Sequence, residues 1–392
     1  MPALDEPDVV VVAAVVLSPS PLPPPLWHAS ASSRPKTAPR RRIERVAEFK
    51  VVALPRWTLS LETRPHGKAV SCPEPARQCR CDRTARTAGS LARPHAAASL
   101  IVRGPRGAMC RIFGFRSVLQ SQVHRSLVSA DNALVQQSGR HPDGWGVAYY
   151  NAGAPHVIKS VATAMDDALF RRVSGIVSSE TVLAHLRKAT QGNLSIINTH
   201  PFQYGPWVFV HNGNVAGFAA IREQLIGRIP QVLRRFILGD TDSEVVFYLL
   251  LGNMARRCDL ARPGYPVGDL IAAIRETVAE IVELAGPLCE RDDGPPESTF
   301  LTFVVTNGTT MVAHQGGKAL YFTTHKRRCP ERDDCPSFGP SCEQPSPDGH
   351  VNHLLISSEP LQGENVWTAL QLGDIVGVDW RMQLTRTAPA GR

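Results

Sequence analysis

Past residue 110 the chain reads as short apolar runs of β type. Residues 146–150, 182–186 and 208–210 are such runs, set between turns rich in Gly, Pro, Asn and His. The period then changes. Residues 242–255 predict a helix, with Thr241 as N-cap and Glu244 three places on in the capping-box pattern. A second helix is predicted over 269–285, where Leu270, Ile271, Ile274, Val278, Ile281 and Val282 fall on one face and Gly286-Pro287 ends it. Residues 300–305 and 310–314 flank Asn307-Gly308 and predict a hairpin. Strand-like runs at 319–323, 353–357 and 374–378 close the pattern. Strands, then helices, then strands again predict a layered α+β fold without internal repeats.

Composition changes this picture only at the start. Residues 1–108 hold 17 of the 43 basic residues, 8 of the 35 acidic ones and 15 of the 32 prolines. The remaining chain is nearly neutral, so the net charge of +8 describes the first segment and does not mark the rest as a nucleic-acid binder. Pro23-Pro24-Pro25 and Arg40-Arg41-Arg42 lie in that segment, which shows little periodicity; residues 51–61 could form a strand but have nothing nearby to pair with. Such composition suits a disordered extension or sequence upstream of a misplaced start, with a basic arm or propeptide as the functional alternative. The apolar run at 9–17 is shorter than the roughly 20 residues of a spanning helix. It also follows Asp5, Glu6 and Asp8, where a secretory signal would carry basic residues. A cytoplasmic protein that engages neither membrane nor nucleic acid is expected, and nine cysteines without framework spacing agree. Cys329, Cys335 and Cys342 sit in a Pro- and charge-rich stretch lacking the close pair of a zinc site, so they are read as part of a solvated loop insertion and no metal is expected.

Five stretches carry candidate chemistry. In Met109-Cys110-Arg111, removal of Met would leave Cys110 with both a thiol and a free α-amine, and an N-terminal amine can act as base for its own side chain. Alone, such a Cys is more often a small buried hydrophobe. Arg187, in His185-Leu186-Arg187-Lys188-Ala189-Thr190-Gln191-Gly192, could clamp a carboxylate or make a surface ion pair. Asn198-Thr199-His200-Pro201-Phe202 reads as a positioning turn, with His200 structural. In His211-Asn212-Gly213, the Asn212 amide and the Gly213 N–H could converge on an oxyanion, or simply make a turn. In Gly239-Asp240-Thr241-Asp242-Ser243-Glu244, Asp242 could serve the helix dipole or hold an α-ammonium.

In order and content these stretches resemble the class II glutamine amidotransferases, over Met109 to about Trp380. His141-Pro142-Asp143-Gly144-Trp145-Gly146 and Ser358-Glu359-Pro360-Leu361, followed by Trp367, resemble the stand-alone branch that includes a fungal glutathione-degradation subunit and a γ-glutamyl hydrolase of ergothioneine biosynthesis. The resemblance implies Cys110 as nucleophile and base, Asn212 and Gly213 as oxyanion hole, and Arg187 and Asp242 as substrate clamps. It implies a four-layer αββα sandwich of the N-terminal-nucleophile hydrolase type over 109–385, behind the disordered extension at 1–108. The implied activity is cleavage of the γ-glutamyl amide of glutamine or a related compound through a Cys thioester, without cofactor. An ammonia-donating subunit of a separate synthetase, a partner of a peptidase subunit, and a catalytically silent binding subunit are the alternatives. One departure stands: sugar-amidating relatives carry Trp and His where this chain has Lys188 and Gln191.

Overall fold

The computed structural model describes residues 110–122, 125–129, 133–189 and 191–389. The extension at 1–108, with the strand expected at 51–61, lies outside them. Strand β1 (Arg111–Gln122) and the short α1 (Leu134–Gln137) lead to a hairpin of β2 (Trp145–Asn151) and β3 (Ala154–Ser160), then α2 (Ala168–Ile176) and β4 (Ser178–Leu186). A second hairpin, β5 (Phe202–Tyr204) and β6 (Trp207–Asn214), precedes four helices: α3 (Phe218–Arg228), α4 (Gln231–Arg234), α5 (Asp242–Ala255) and α6 (Val267–Ala285). The chain then returns to strands β7 (Phe300–Thr306), β8 (Met311–His314), β9 (Tyr321–Thr323), β10 (His353–Ser357), β11 (Thr368–Ala369), β12 (Ile375–Val378) and β13 (Leu384–Thr387).

These strands form two antiparallel sheets, ordered β11-β9-β10-β1-β4-β2-β3 and β13-β12-β8-β7-β6-β5. Strand alternation sorts their side chains into layers. Ile112, Leu183, Leu354 and Ile356 of the first sheet meet Val208, Val210, Val304, Ala313 and Val376 of the second in one buried cluster. The opposite face of the second sheet, through Trp207, Phe209, Leu301 and Phe303, packs on α3, α5 and α6. The opposite face of the first, through Phe113, Phe115, Trp145 and Val147, packs on α1 and α2. Helix, sheet, sheet, helix is the expected four-layer sandwich.

Most predicted elements appear within a residue or two. Thr241 caps α5, its hydroxyl accepting from the Glu244 N–H at 3.3 Å. Only half of the capping box forms, because the Glu244 carboxylate instead accepts from the N–H groups of Leu238 (3.1 Å) and Gly239 (2.7 Å) and ties the preceding loop to the helix. The hairpin register pairs Thr306 with Met311, so Asn307-Gly308 occupies the first half of a four-residue loop. Strand β1 and helices α2 and α3 were not anticipated. The stretch at Cys329, Cys335 and Cys342 is not simply solvated, since Cys329 and Cys342 are buried. Among the described residues no group of three His, Cys, Asp or Glu is placed to hold a metal, and no helix is long and apolar enough to cross a membrane.

Candidate active site

The motifs meet at the start of β1. Strand β1 pairs with β4 on one side, Arg111 opposite Leu186, and with β10 on the other, Phe113 opposite Ser357. Cys110 shares the parity of Ile112 and so begins the row that faces the second sheet. The neighbours of β1 supply its positioning contacts. The Ile112 N–H donates to Ser358 Oγ (2.9 Å), the Ser358 N–H donates to the Ile112 carbonyl (3.1 Å), and Glu359 pairs with Arg111 at 3.6 Å. On the other side the Arg187 N–H donates to the Gly144 carbonyl (2.8 Å), and Asp143 accepts from the Ala189 N–H (2.8 Å). The Ser358–Leu361 stretch thus braces the start of β1 beside Cys110, and the His141–Gly146 stretch braces the 187–189 segment.

The thiol itself is held by Lys188. The backbone N–H of Lys188 donates to Cys110 Sγ at 3.2 Å, and the Lys188 carbonyl lies 3.4 Å away as an acceptor for the thiol proton. Burial pushes the Cys110 pKa up; the Lys188 N–H and the charges of Arg187 and Arg111 pull it back only in part. The group is therefore a protonated thiol near neutrality and needs a base at the moment of attack.

Four of the five candidate residues line one small cavity. Cys110, Arg187, Gly213 and Asp242 are joined there by Lys188, Gln191, Asn198, His200, His211 and Ser243. Its volume of about 20 Å³ holds about one water molecule. Arg187 is 3 % exposed, and its guanidinium donates to the carbonyls of Gln191 (3.1 Å), Gly192 (3.4 Å) and Asn193 (3.2 Å), fixing the 191–193 segment beside it. Asp242 accepts from the Val215 N–H (2.8 Å) and the Ser243 N–H (2.7 Å), with Ser243 Oγ 3.1 Å from the same carboxylate. Asn212 is not among the lining residues. It lies on β6 opposite Thr302, buried, with the parity of Val208 and Val210 and with no hydrogen-bond partner for its Oδ1.

Sequence reasoning missed the histidine layer behind the nucleophile. His211 Nε2 lies 3.0 Å from the Phe300 carbonyl, so that nitrogen carries the proton and Nδ1 accepts from Ser243 Oγ at 2.9 Å. His185, on β4 opposite Ile112, is held neutral, its pKa lowered to about 3 by burial. Gly213 leaves room for this arrangement: a Cβ there would meet His211 Cε1 at 2.8 Å and stand closer still to His211 Nε2 and the Phe300 oxygen. Only the spacing of three His around the motifs hinted at such a layer.

A family model described as glutamine amidotransferases class-II matches residues 109–381. DUG3 of Saccharomyces cerevisiae and YafJ of Escherichia coli, both named as glutamine amidotransferases, are 27 % and 25 % identical. The first match covers 69 % of this chain and 82 % of DUG3; the second covers 70 % of this chain and 97 % of YafJ. A γ-glutamyl-hercynylcysteine sulfoxide hydrolase of Mycobacterium tuberculosis is 36 % identical over 74 residues, 19 % of this chain and 32 % of that protein. A solved class-II glutamine aminotransferase domain protein from Silicibacter pomeroyi aligns with a TM-score of 0.46 at 21 % identity, covering 72 % of this chain and all of that one.

Proposed function

The chain belongs to the class II glutamine amidotransferases, an enzyme family, and we propose that it hydrolyses the γ-glutamyl amide of glutamine or a related γ-glutamyl compound at Cys110. The observation that carries this reading is the single cavity that unites a thiol, a buried cation and a buried anion from three distant stretches. A γ-glutamyl substrate is an amide with an α-carboxylate and an α-ammonium at its far end, so Arg187 and Asp242 match its charges. Three N–H groups of Arg187 are engaged by the 191–193 carbonyls and two remain for a carboxylate.

In the mechanism we propose, removal of residues 1–109 frees the α-amine of Cys110. That amine takes the thiol proton as sulfur attacks the amide carbon, and the Asn212 amide and Gly213 N–H stabilise the oxyanion. The leaving amine departs with the proton, and water then cleaves the thioester to release glutamate and the free thiol. The domain is taken as 109–385, its processed form beginning at Cys110, and the free thiols of the six described cysteines suit a reducing, cytoplasmic setting.

The test is release of glutamate from glutamine, glutathione and other γ-glutamyl compounds by the purified chain, with Cys110→Ala as the blank. Turnover that depends on Cys110 is expected. Turnover that survives Cys110→Ala, or glutamate release from none of these compounds by protein whose N-terminus is Cys110, would refute the assignment.

A further inference from the structure

Three histidines lie behind the nucleophile, and two of them are committed. His185 Nε2 lies 3.1 Å from the His211 carbonyl, and His211 Nε2 lies 3.0 Å from the Phe300 carbonyl. A carbonyl only accepts, so in both rings Nε2 holds the proton and the tautomer is set by the protein.

His200 is different. It is 5 % exposed, yet neither of its ring nitrogens has a hydrogen-bond partner. Its ring packs against His185, with centroids 4.2 Å apart, and edge-on against Phe202 at 4.7 Å. His200 is also among the residues around the cavity shared by Cys110, Arg187 and Asp242. Gly146 makes this position possible, since a Cβ there would collide with the His200 carbonyl and the Pro201 ring. Burial and the nearby His185, His211, Lys159 and Arg187 hold the His200 pKa well below its ordinary value, so the imidazole is neutral. A neutral ring always carries one N–H and one lone pair, and here no protein group claims either. Polar atoms buried without partners are costly and persist where a ligand satisfies them.

We infer that His200 is a further substrate-contacting residue, whose N–H donates to the α-carboxylate of the γ-glutamyl group beside Arg187. This rests on the reading of Arg187 and Asp242 as the clamps of the amino-acid end. The carboxylate is the group assigned because the cations Lys159 and Arg187 act on the His200 site, while Asp242 is turned to the Val215 and Ser243 N–H groups. A ring that no protein acceptor orients is free to take the tautomer the ligand requires. His200 is then more than part of a positioning turn: it supplies an uncharged donor beside the Arg187 N–H groups that the 191–193 carbonyls leave free.

The experiment compares γ-L-glutamyl-p-nitroanilide with its α-carboxamide, in which the carboxylate is replaced, on protein whose N-terminus is Cys110 and on its His200→Phe and His200→Gln variants. His200→Phe keeps the ring shape and removes both nitrogens; His200→Gln keeps an N–H donor. For the carboxylate substrate, His200→Phe should lower kcat/KM about 10- to 100-fold, mostly through KM, as loss of a hydrogen bond to a charged group does. For the carboxamide the same variant should change kcat/KM less than about threefold, and His200→Gln should recover part of the loss. An equal loss on both substrates would make His200 structural and overturn the inference. Should His200→Phe fail to fold, the ring ¹⁵N resonances of histidine in Cys110→Ala protein give a second reading. Saturating L-glutamine should shift the His200 pair into a single tautomer, and unmoved resonances with glutamine bound would overturn the assignment. Failure of wild-type protein to cleave either anilide or to bind glutamine is a separate outcome, which removes the amino-acid clamp itself and this contact with it.

Discussion

Gly213→Ala perturbs one methyl group at the centre of the candidate site, and its cost can be worked from the contacts. The new Cβ would stand 2.8 Å from His211 Cε1 and closer to His211 Nε2 and the Phe300 oxygen, the two ends of a 3.0 Å hydrogen bond. Neither end can yield easily. Phe300 is the first residue of β7, pairs with Asn214 and is fully buried, while His211 is 1 % exposed and also tied to Ser243. Breaking the bond leaves a buried donor and a buried acceptor unsatisfied, at about 1–3 kcal/mol each. Overpacking a dense interior adds about 1–3 kcal/mol if the bond survives instead. Breakage of the bond therefore predicts a loss of about 2–6 kcal/mol, which at about 2–4 °C per kcal/mol is a fall in Tm of roughly 4–24 °C. Urea and thermal denaturation of the variant beside Gly227→Ala supply the assay. Gly227 lies in α3 with open space around it, so its replacement by Ala should be neutral or stabilise by up to about 1 kcal/mol. A Gly213→Ala protein within about 1 kcal/mol of wild type would refute the packing argument, whatever its activity.

Asn212→Ala should lower kcat by roughly 10²–10³ with little change in KM, as removal of an oxyanion donor does; steady-state kinetics on the accepted γ-glutamyl substrate decide it, and an unchanged kcat would remove Asn212 from the oxyanion hole. The pH profile of kcat/KM should rise with an apparent pKa near that of an α-amine, about 7.7–8.0, because burial keeps the Cys110 thiol protonated through that range; a plateau already reached below pH 6 would mean a preformed thiolate and a different base. Acid should destabilise the fold through buried neutral histidines. His185 and His314 have folded pKa values of about 3 and about 4, below the ordinary 6.5, so the unfolded chain binds protons first and stability present above pH 6.5 is lost as pH falls toward those values. At pH 5 each contributes a loss on the order of 2 kcal/mol. His314→Gln, which can keep the bond to the Leu301 carbonyl, should flatten the pH dependence of the urea midpoint, and an unchanged slope would argue against this account.

Local chemistry was enough to place much of the framework. Helix α5 begins at the residue marked by the Thr241 cap, and α6 ends where Gly286 takes a positive φ of 82°, a conformation that favours glycine. Short apolar runs found the centres of β2, β4, β6, β7 and β10, because a strand buried on both faces of a layered sandwich is apolar at successive positions. Strand β1 escaped notice since its second half, from Ser117 on, mixes serine, glutamine and apolar residues without strict alternation. Helix α3 escaped because its apolar positions do not make a continuous stripe, only Phe218 and Leu225 being buried.

The candidate site divides in the same way. Residue types that can attack, clamp and stabilise are legible one by one, since thiol, guanidinium, carboxylate and Asn-Gly each have a chemistry independent of context. That Cys110, Arg187, Gly213 and Asp242 share a cavity is not legible, because their approach follows from β1 pairing with β4 and from α5 packing beside β6, contacts between segments many residues apart. The same holds for what fills the spaces between them. The Lys188 amide on the thiol, the 191–193 carbonyls on Arg187, and the loss of water around His185, His200 and His211 all arise from backbone position and burial. A sequence names the groups that can react. Only the packed chain sets which of them are dry, which are already hydrogen-bonded, and which, like His200, are left with polar atoms for a ligand to satisfy.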